Sequence, residues 1–172
     1  MAAAQVIWIT GLSGAGKTTV ANHVAVSLQQ KNINTIKLDG DVLRSVFGSE
    51  GQHTREDRLS LARSYSRLCK ELAGQGYTVI CSTISMFHEI HEWNRNNLPG
   101  YLEVYLRVPI DVLEGRDTKG IYVKAKSGDI SNVAGVDLKV DEPRSPDILI
   151  DNFGVTNAVA ATGVILERLC ST

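Results

Sequence analysis

Eight consecutive residues carry the clearest chemical signal in this chain. Gly11-Leu12-Ser13-Gly14-Ala15-Gly16-Lys17-Thr18 satisfies the pattern G-x-x-x-x-G-K-S/T in full. Glycines at these spacings let backbone N–H groups turn inward around phosphate oxygens, and the helix that follows adds the positive end of its dipole. Lys17 is placed to reach the β- and γ-phosphates, and the Thr18 hydroxyl to bind Mg²⁺, with Thr19 next in line. A chance glycine turn has no reason to fall between an apolar run and a helical pattern. This one does, so a nucleotide-phosphate site is the reading.

Two carboxylates come next. Leu38-Asp39-Gly40-Asp41 closes a second strand-like run. Acidic residues at the C-terminal edge of a parallel sheet, beside a phosphate loop, lie where ligands bind in such sheets. One carboxylate would orient Mg²⁺ or its waters, and one would accept the proton of an attacking hydroxyl. The bland alternative is that Asp41 caps the next short helix. Four arginines follow: Arg44, Arg55, Arg58 and Arg63. They are either solvated helix residues or, for two of them, a grip on an acceptor's phosphate.

The elements that must hold these residues read as strands alternating with helices. Strands are expected at 5–10, 35–39, 77–82, 101–108 and 147–151. Helices are expected at 18–30, 55–73, 86–95, 111–116 and 156–169, the second with Leu61, Tyr65, Leu68 and Leu72 on one stripe and Thr54 as a cap. That alternation implies βαβ units and a parallel sheet covered on both faces. The expected fold is therefore α/β, a P-loop NTPase-type three-layer sandwich with a five-stranded parallel sheet. Residues 118–146 show weak periodicity and Pro143 and Pro146 near their end, and such a stretch inside a compact domain is expected to be a lid.

Composition bounds the possibilities. The chain has 172 residues, which fits one domain, and its 43% hydrophobic and 22% charged content supports a packed core. Eighteen basic against nineteen acidic residues give a net charge of −1, which argues against a nucleic-acid partner bound through a broad basic field. Cys69, Cys81 and Cys170 are odd in number and far apart, so reduced thiols of a cytoplasmic protein are expected rather than a zinc site or disulfides. No apolar run approaches the roughly 18 residues that span a bilayer. Met1-Ala2-Ala3-Ala4 lacks the basic stretch of a secretory leader. His88-Glu89-Ile90-His91-Glu92 misses the H-E-x-x-H spacing and reads as a solvated amphipathic turn, and Trp8 and Trp93 read as packing residues.

With these residues in view, the chain resembles the adenylylsulfate kinase (APS kinase) family over residues 6–169. The resemblance rests on GLSGAGKTT at 11–19, LDGDVLR at 38–44, Asp57-Arg58, Ile84-Ser85, RDTKGIYVKAK at 116–126 and Gly135-Val136-Asp137. It implies ATP and Mg²⁺ as cosubstrate and cofactor. It implies transfer of the γ-phosphoryl to the 3′-hydroxyl of adenosine 5′-phosphosulfate (APS), giving PAPS. Carried over, Lys17 and Thr18 hold phosphates and metal, and Asp39 and Asp41 sit at the transfer site, with Asp41 as the base or metal organiser and Asp39 also a metal candidate. Arg44 and Arg58 bind the acceptor's anionic end, and Ile84 and Ser85 line its site. Arg116 and Asp117 lie near the ATP base, Lys119 near the transferred phosphates, and the family is often homodimeric.

The departures cluster where the acceptor should bind. The family's usual Phe before the Ser/Thr-x-x-Asp-Arg element is His53, its Asn three residues after the matched Arg is Leu61, and the lid's Phe-Thr-Gly-Ile-Asp reads Val133-Ala134-Gly135-Val136-Asp137. The family's two phenylalanines sandwich the acceptor adenine, and each such stacking partner is worth about 1–3 kcal/mol. His53 can stack and Val133 can only pack. The chain is also similar to relatives in capsule biosynthesis that phosphorylate a cytidine diphosphoramidate, whose smaller pyrimidine needs less stacking surface. APS stands first on the overall match, and the cytidine compound is the alternative. A third reading is a P-loop NTP-binding module that is no kinase. Against it, no base-reading N-K-x-D is present, and the apolar run at 79–82 ends in Cys81-Ser82 rather than an Asp.

Overall fold

The computed structural model describes residues 6–49 and 54–171. In chain order the elements are β1 (Val6–Thr10), α1 (Lys17–Gln30), β2 (Thr35–Asp39), α2 (Gly40–Val46), α3 (Arg55–Gly74), β3 (Thr78–Ser82), α4 (His88–Asn97), β4 (Tyr101–Arg107), α5 (Ile110–Gly115), α6 (Ile121–Ser127), β5 (Ile148–Asp151) and α7 (Ala158–Cys170). The five strands form one parallel sheet in the order β2-β3-β1-β4-β5.

The strand sequences explain the layering. A central parallel strand is buried on both faces, so β1 is buried at every position and apolar from Val6 to Ile9. Its side chains still alternate. Ile7 and Ile9 join Val20, Val24, Ala161 and Ile165 on the face covered by α1 and α7. Val6 and Trp8 join Tyr65, Cys69, Cys81 and Ile90 on the face covered by α3 and α4. Two cores separated by the sheet make the expected three-layer sandwich. Trp8 is wholly buried and Trp93 packs at the edge of the second core, both as packing residues.

α3 starts where its capping box dictates. The Asp57 N–H donates to Thr54 Oγ1 at 3.2 Å, and the Thr54 N–H donates to Asp57 Oδ2 at 3.3 Å. Its buried stripe is rotated from the one the leucines mark. Ala62, Tyr65, Ser66, Cys69 and Ala73 face the sheet, while Leu61, Leu68 and Leu72 are half-buried along the flank. Small side chains at 62, 69 and 73 let the helix lie close to the strands, and the leucines fill the wedge beside it.

Residues 118–146 are not irregular throughout, because they contain α6. The Asp117 carboxylate accepts the N–H groups of Ile121 (2.9 Å), Tyr122 (2.7 Å) and Val123 (3.3 Å), capping α6 from four residues upstream. α6 ends at Gly128, which is left-handed at φ 80°. Beyond it, the Asp137 carboxylate closes a loop by accepting from the N–H groups of Asn132 (2.7 Å) and Val133 (2.6 Å). α4 also differs from a solvated turn: Ile90, His91 and Asn94 are buried against the sheet.

Register sets the site. Ser82 is opposite Asp39 of β2 on one side and Ile9 of β1 on the other. The phosphate loop, the carboxylates and the end of β3 therefore meet at one edge of the sheet.

Candidate active site

The phosphate loop is held by its carbonyls, from within and from outside. Lys17 Nζ donates to the Leu12 carbonyl at 2.7 Å, Tyr122 Oη to that of Ser13 at 2.8 Å, and Asn152 Nδ2 to that of Ala15 at 2.8 Å. With these lone pairs engaged, fewer of them face an incoming phosphate. Gly16 must be glycine: its φ is 89°, and a Cβ there would lie 2.7 Å from Asn152 Nδ2. Gly11 faces the same limit, because a Cβ would come within 2.5 Å of the Leu106 carbonyl oxygen. The cradle fits the phosphates that its residue pattern announces.

Two cavities open from the loop. One, of about 330 Å³, is lined by Ser13, Gly14, Gly16, Lys17, Thr18, Thr19, Asp39, Arg116, Asp117 and Tyr122 among others. The second, of about 360 Å³, is lined by Arg58, Ile121, Ile130, Asn132, Val133 and Ala134. Ser13, Asp41, Arg44, Ile84 and Lys119 line both. Asp41 thus stands where the two chambers join.

The two carboxylates have separate surroundings. Asp39 accepts from Thr18 Oγ1 (2.7 Å), Ser82 Oγ (3.0 Å) and the Asp41 N–H (3.0 Å). Burial alone would raise its pKa, but these donors outweigh it and hold the carboxyl below its ordinary value. The last of those bonds caps α2, so the capping role weighed for Asp41 belongs to Asp39. Asp41, exposed in the first turn of α2, lies 2.6 Å from Lys119 Nζ and 3.8 Å from Arg44 Nη2. Lys17 is pushed down to about 8 by burial, against the pull of Asp41 and Asp39 and with Lys119 adding repulsion. An anionic phosphate would reverse that penalty.

The oxygen donors Thr18 Oγ1, Asp39 and Ser82 Oγ suit a hard cation such as Mg²⁺. No cluster of three or more His, Cys, Asp or Glu side chains able to hold a metal occurs among the described residues. Mg²⁺ takes one or two protein ligands together with substrate phosphates and water.

The remaining residues expected at the site are placed as follows. Arg58 Nη2 donates to the Asn132 carbonyl at 2.9 Å. Arg116 Nη1 donates to the Asn152 carbonyl at 3.0 Å, which ties α5 to the end of β5. Asp117 lines the first cavity, but its carboxylate is spent on the start of α6. Ser85 is left-handed at φ 32°, nearly buried, with its Oγ 2.8 Å from Thr83 Oγ1. Ser85 and Leu61 line a small recess next to Arg58. Val133 is only 7% exposed and belongs to the core beneath the second cavity. His53 lies outside the described residues.

Sequence reasoning missed Asn152, Tyr122 and Tyr65 as supports. Asn152 follows the apolar run of β5, the edge at which ligands sit in such sheets, and Tyr122 lies inside the quoted 116–126 segment. Tyr65 Oη donates to the Gly40 carbonyl, between the two carboxylates, at 3.3 Å. Only the tertiary fold marks it.

Comparison with known proteins places this geometry in a family. The sequence model described as adenylylsulphate kinase matches residues 3–151. The chain is 40% identical over 164 residues to a cytidine diphosphoramidate kinase of Campylobacter jejuni, covering 95% of each. It is 36% identical to an adenylyl-sulfate kinase of Halothermothrix orenii, covering 92% of this chain and 86% of that one. An APS kinase of Mycobacterium tuberculosis, solved in complex with AMPPNP and APS, superposes with a TM-score of 0.86 at 31% identity over 99% of both chains. The chain belongs to the adenylylsulphate kinase family and is an ATP-dependent kinase. No helix among the described residues is long and apolar enough to cross a membrane.

Proposed function

We propose that this kinase transfers the γ-phosphoryl group of ATP to a ribosyl 3′-hydroxyl of a nucleotide with an anionic 5′ group, and that the acceptor is cytidine diphosphoramidate in preference to APS. The observation that carries the transfer is Asp41 at the junction of two chambers, with Lys17 and Thr18 on one side and Arg58 on the other. In this reading the first chamber takes ATP and the second the acceptor. Asp41 accepts the proton of the attacking hydroxyl as the new O–P bond forms and ADP leaves. Lys119 and Arg44, now paired with Asp41, turn to the charge spreading over the transferred group. Thr18 and Asp39 would hold Mg²⁺, which would supply charge neutralisation at the phosphates. Arg116 and Asp117 border the ATP chamber. Ser85, Ile84 and Leu61 border the acceptor's side. Catalysis is positioning and charge stabilisation, completed by closure of the 118–146 segment.

The preference for a pyrimidine rests on the acceptor chamber's wall. Ile84, Ile121, Ile130, Val133 and Ala134 face it, and no aromatic ring lines it among the described residues. Val133 is held in the core and offers no stacking face. The described part of that wall gives up the 1–3 kcal/mol or so per partner that stacking would add, which costs a purine more than a smaller base. The similarity to the C. jejuni enzyme points the same way. APS remains the second reading, favoured by the match to the M. tuberculosis enzyme.

The test is ATP consumption with each acceptor side by side. A higher kcat/KM with cytidine diphosphoramidate is expected. Equal or better turnover of APS overturns the acceptor assignment. ATP consumption accelerated by neither overturns the acceptor class.

A further inference from the structure

Arg55 is the one arginine of the 44–63 group that touches the 129–141 segment without lining either chamber. It opens α3 immediately after the Thr54 cap. Its Nη2 donates to Asp141 Oδ2 at 2.8 Å, 86 residues away in sequence. Its guanidinium carbon lies 4.9 Å from the centre of the Phe87 ring. Phe87 is 5% exposed and fixed in the second core, so it is a rigid platform. Asp141 is tied to the same place through its backbone, whose N–H donates to the Met86 carbonyl at 2.9 Å. Three segments therefore meet at Arg55: the first turn of α3, the chain leaving left-handed Ser85, and the root of the 129–141 segment. One turn further along α3, Arg58 grips the tip of that segment at Asn132.

A planar cation that is stacked on a ring and paired with a carboxylate is more directional than an exposed ion pair. Its side chain is 38% exposed and that of Asp141 22%, so solvent screens the pair only in part. Nothing in this arrangement touches ATP's side of the cleft. What it fixes is the distance between the root of the segment and α3. Asn132, Val133 and Ala134, which wall the second chamber, hang from that root.

We propose that Arg55 is a positioning residue for the acceptor: its clasp on Asp141 over Phe87 sets the root of residues 129–141, and with it the wall of the second chamber. The inference rests on the reading of that chamber as the acceptor site.

The test compares Arg55→Ala, Arg55→Lys, Asp141→Asn and the Arg55→Ala/Asp141→Asn double variant. Arg55→Ala should raise the acceptor KM about tenfold, with the KM for ATP within about twofold of wild type. Arg55→Lys keeps the charge and loses the planar stack, so it should fall between. The double variant should be no worse than Arg55→Ala, since both changes break one contact. Amide hydrogen exchange supplies a readout independent of acceptor identity. Exchange in 129–141 should quicken in Arg55→Ala while the phosphate loop keeps its wild-type rates. An unchanged acceptor KM, additive effects in the double variant, or faster exchange spread over the whole chain each overturn the proposal. If wild-type enzyme phosphorylates neither acceptor, the acceptor reading fails by itself, and the exchange pattern still decides the clasp.

Discussion

Lys17 should take up a proton when ATP binds, and the amount can be worked from its surroundings. In the nucleotide-free protein its ammonium is pushed down to about 8, because burial outweighs the attraction of Asp41 and Asp39. Phosphates bound in the cradle add negative charge beside it, so the bound-state pKa should return to at least its ordinary value of about 10.4. Uptake is the difference between the protonated fractions of the two states. That gives about 0.1 proton at pH 7, about 0.5 at pH 8 and about 0.9 at pH 9. The sign follows from the direction of the shift. A pKa raised on binding contributes affinity that is complete below the free-state value and is lost as pH rises above it. ATP affinity should therefore fall about tenfold from pH 7 to pH 9. The assay is calorimetry of AMPPNP binding at each pH, in buffers of different ionisation enthalpy. Phosphate groups are already ionised in this range, with a second pKa near 6, so they contribute little. The chain's α-amino group titrates nearby, and Lys17→Met subtracts it. Uptake at pH 8 below about 0.1 proton, or equal uptake by wild type and Lys17→Met, would refute the electrostatic account of the loop.

Two further outcomes follow from the geometry. Asp41→Asn should lower kcat by about two to four orders of magnitude with ATP affinity little changed, as expected for loss of a proton acceptor; near-normal kcat in a stopped assay would assign that role elsewhere. His91 is pushed down to about 4 by burial and by the neighbouring His88, with Arg95 adding to the repulsion and Asp141 opposing it; Glu103 Oε1 lies 3.5 Å away. Its folded pKa is below the unfolded value of about 6.5, so stability is complete above pH 6.5 and is lost as pH falls from there toward 4, at up to about 1.4 kcal/mol per pH unit. The urea midpoint of wild type should drop from pH 7 to pH 5 more than that of His91→Gln, and parallel drops would show that another group titrates.

How much was legible in the sequence depended on how far apart the cooperating residues lie. The phosphate loop is eight contiguous residues, and the strands are apolar runs bounded by turn residues, so both could be read directly. α6 was missed because it is seven residues long with one buried side chain, Tyr122, and starts at a carboxylate outside its own span. The buried stripe of α3 was misjudged because hydrophobicity marks leucines, whereas close packing against a sheet selects Ala62, Cys69 and Ala73. His91 looked solvated in a run of charged residues, yet α4 turns it inward.

The sequence by itself determined the α/β alternation, the nucleotide cradle and the neighbourhood of the acceptor's departures, because each is written in local spacing. Only the tertiary structure divided the labour between the carboxylates. Asp39 caps α2 and binds Thr18 and Ser82, while Asp41, two residues on, stands between the chambers. It alone showed Val133 sunk in the core and Arg55 clasped to Asp141. These assignments depend on contacts across tens of residues, set by strand register and helix packing, and no periodicity along the chain encodes them.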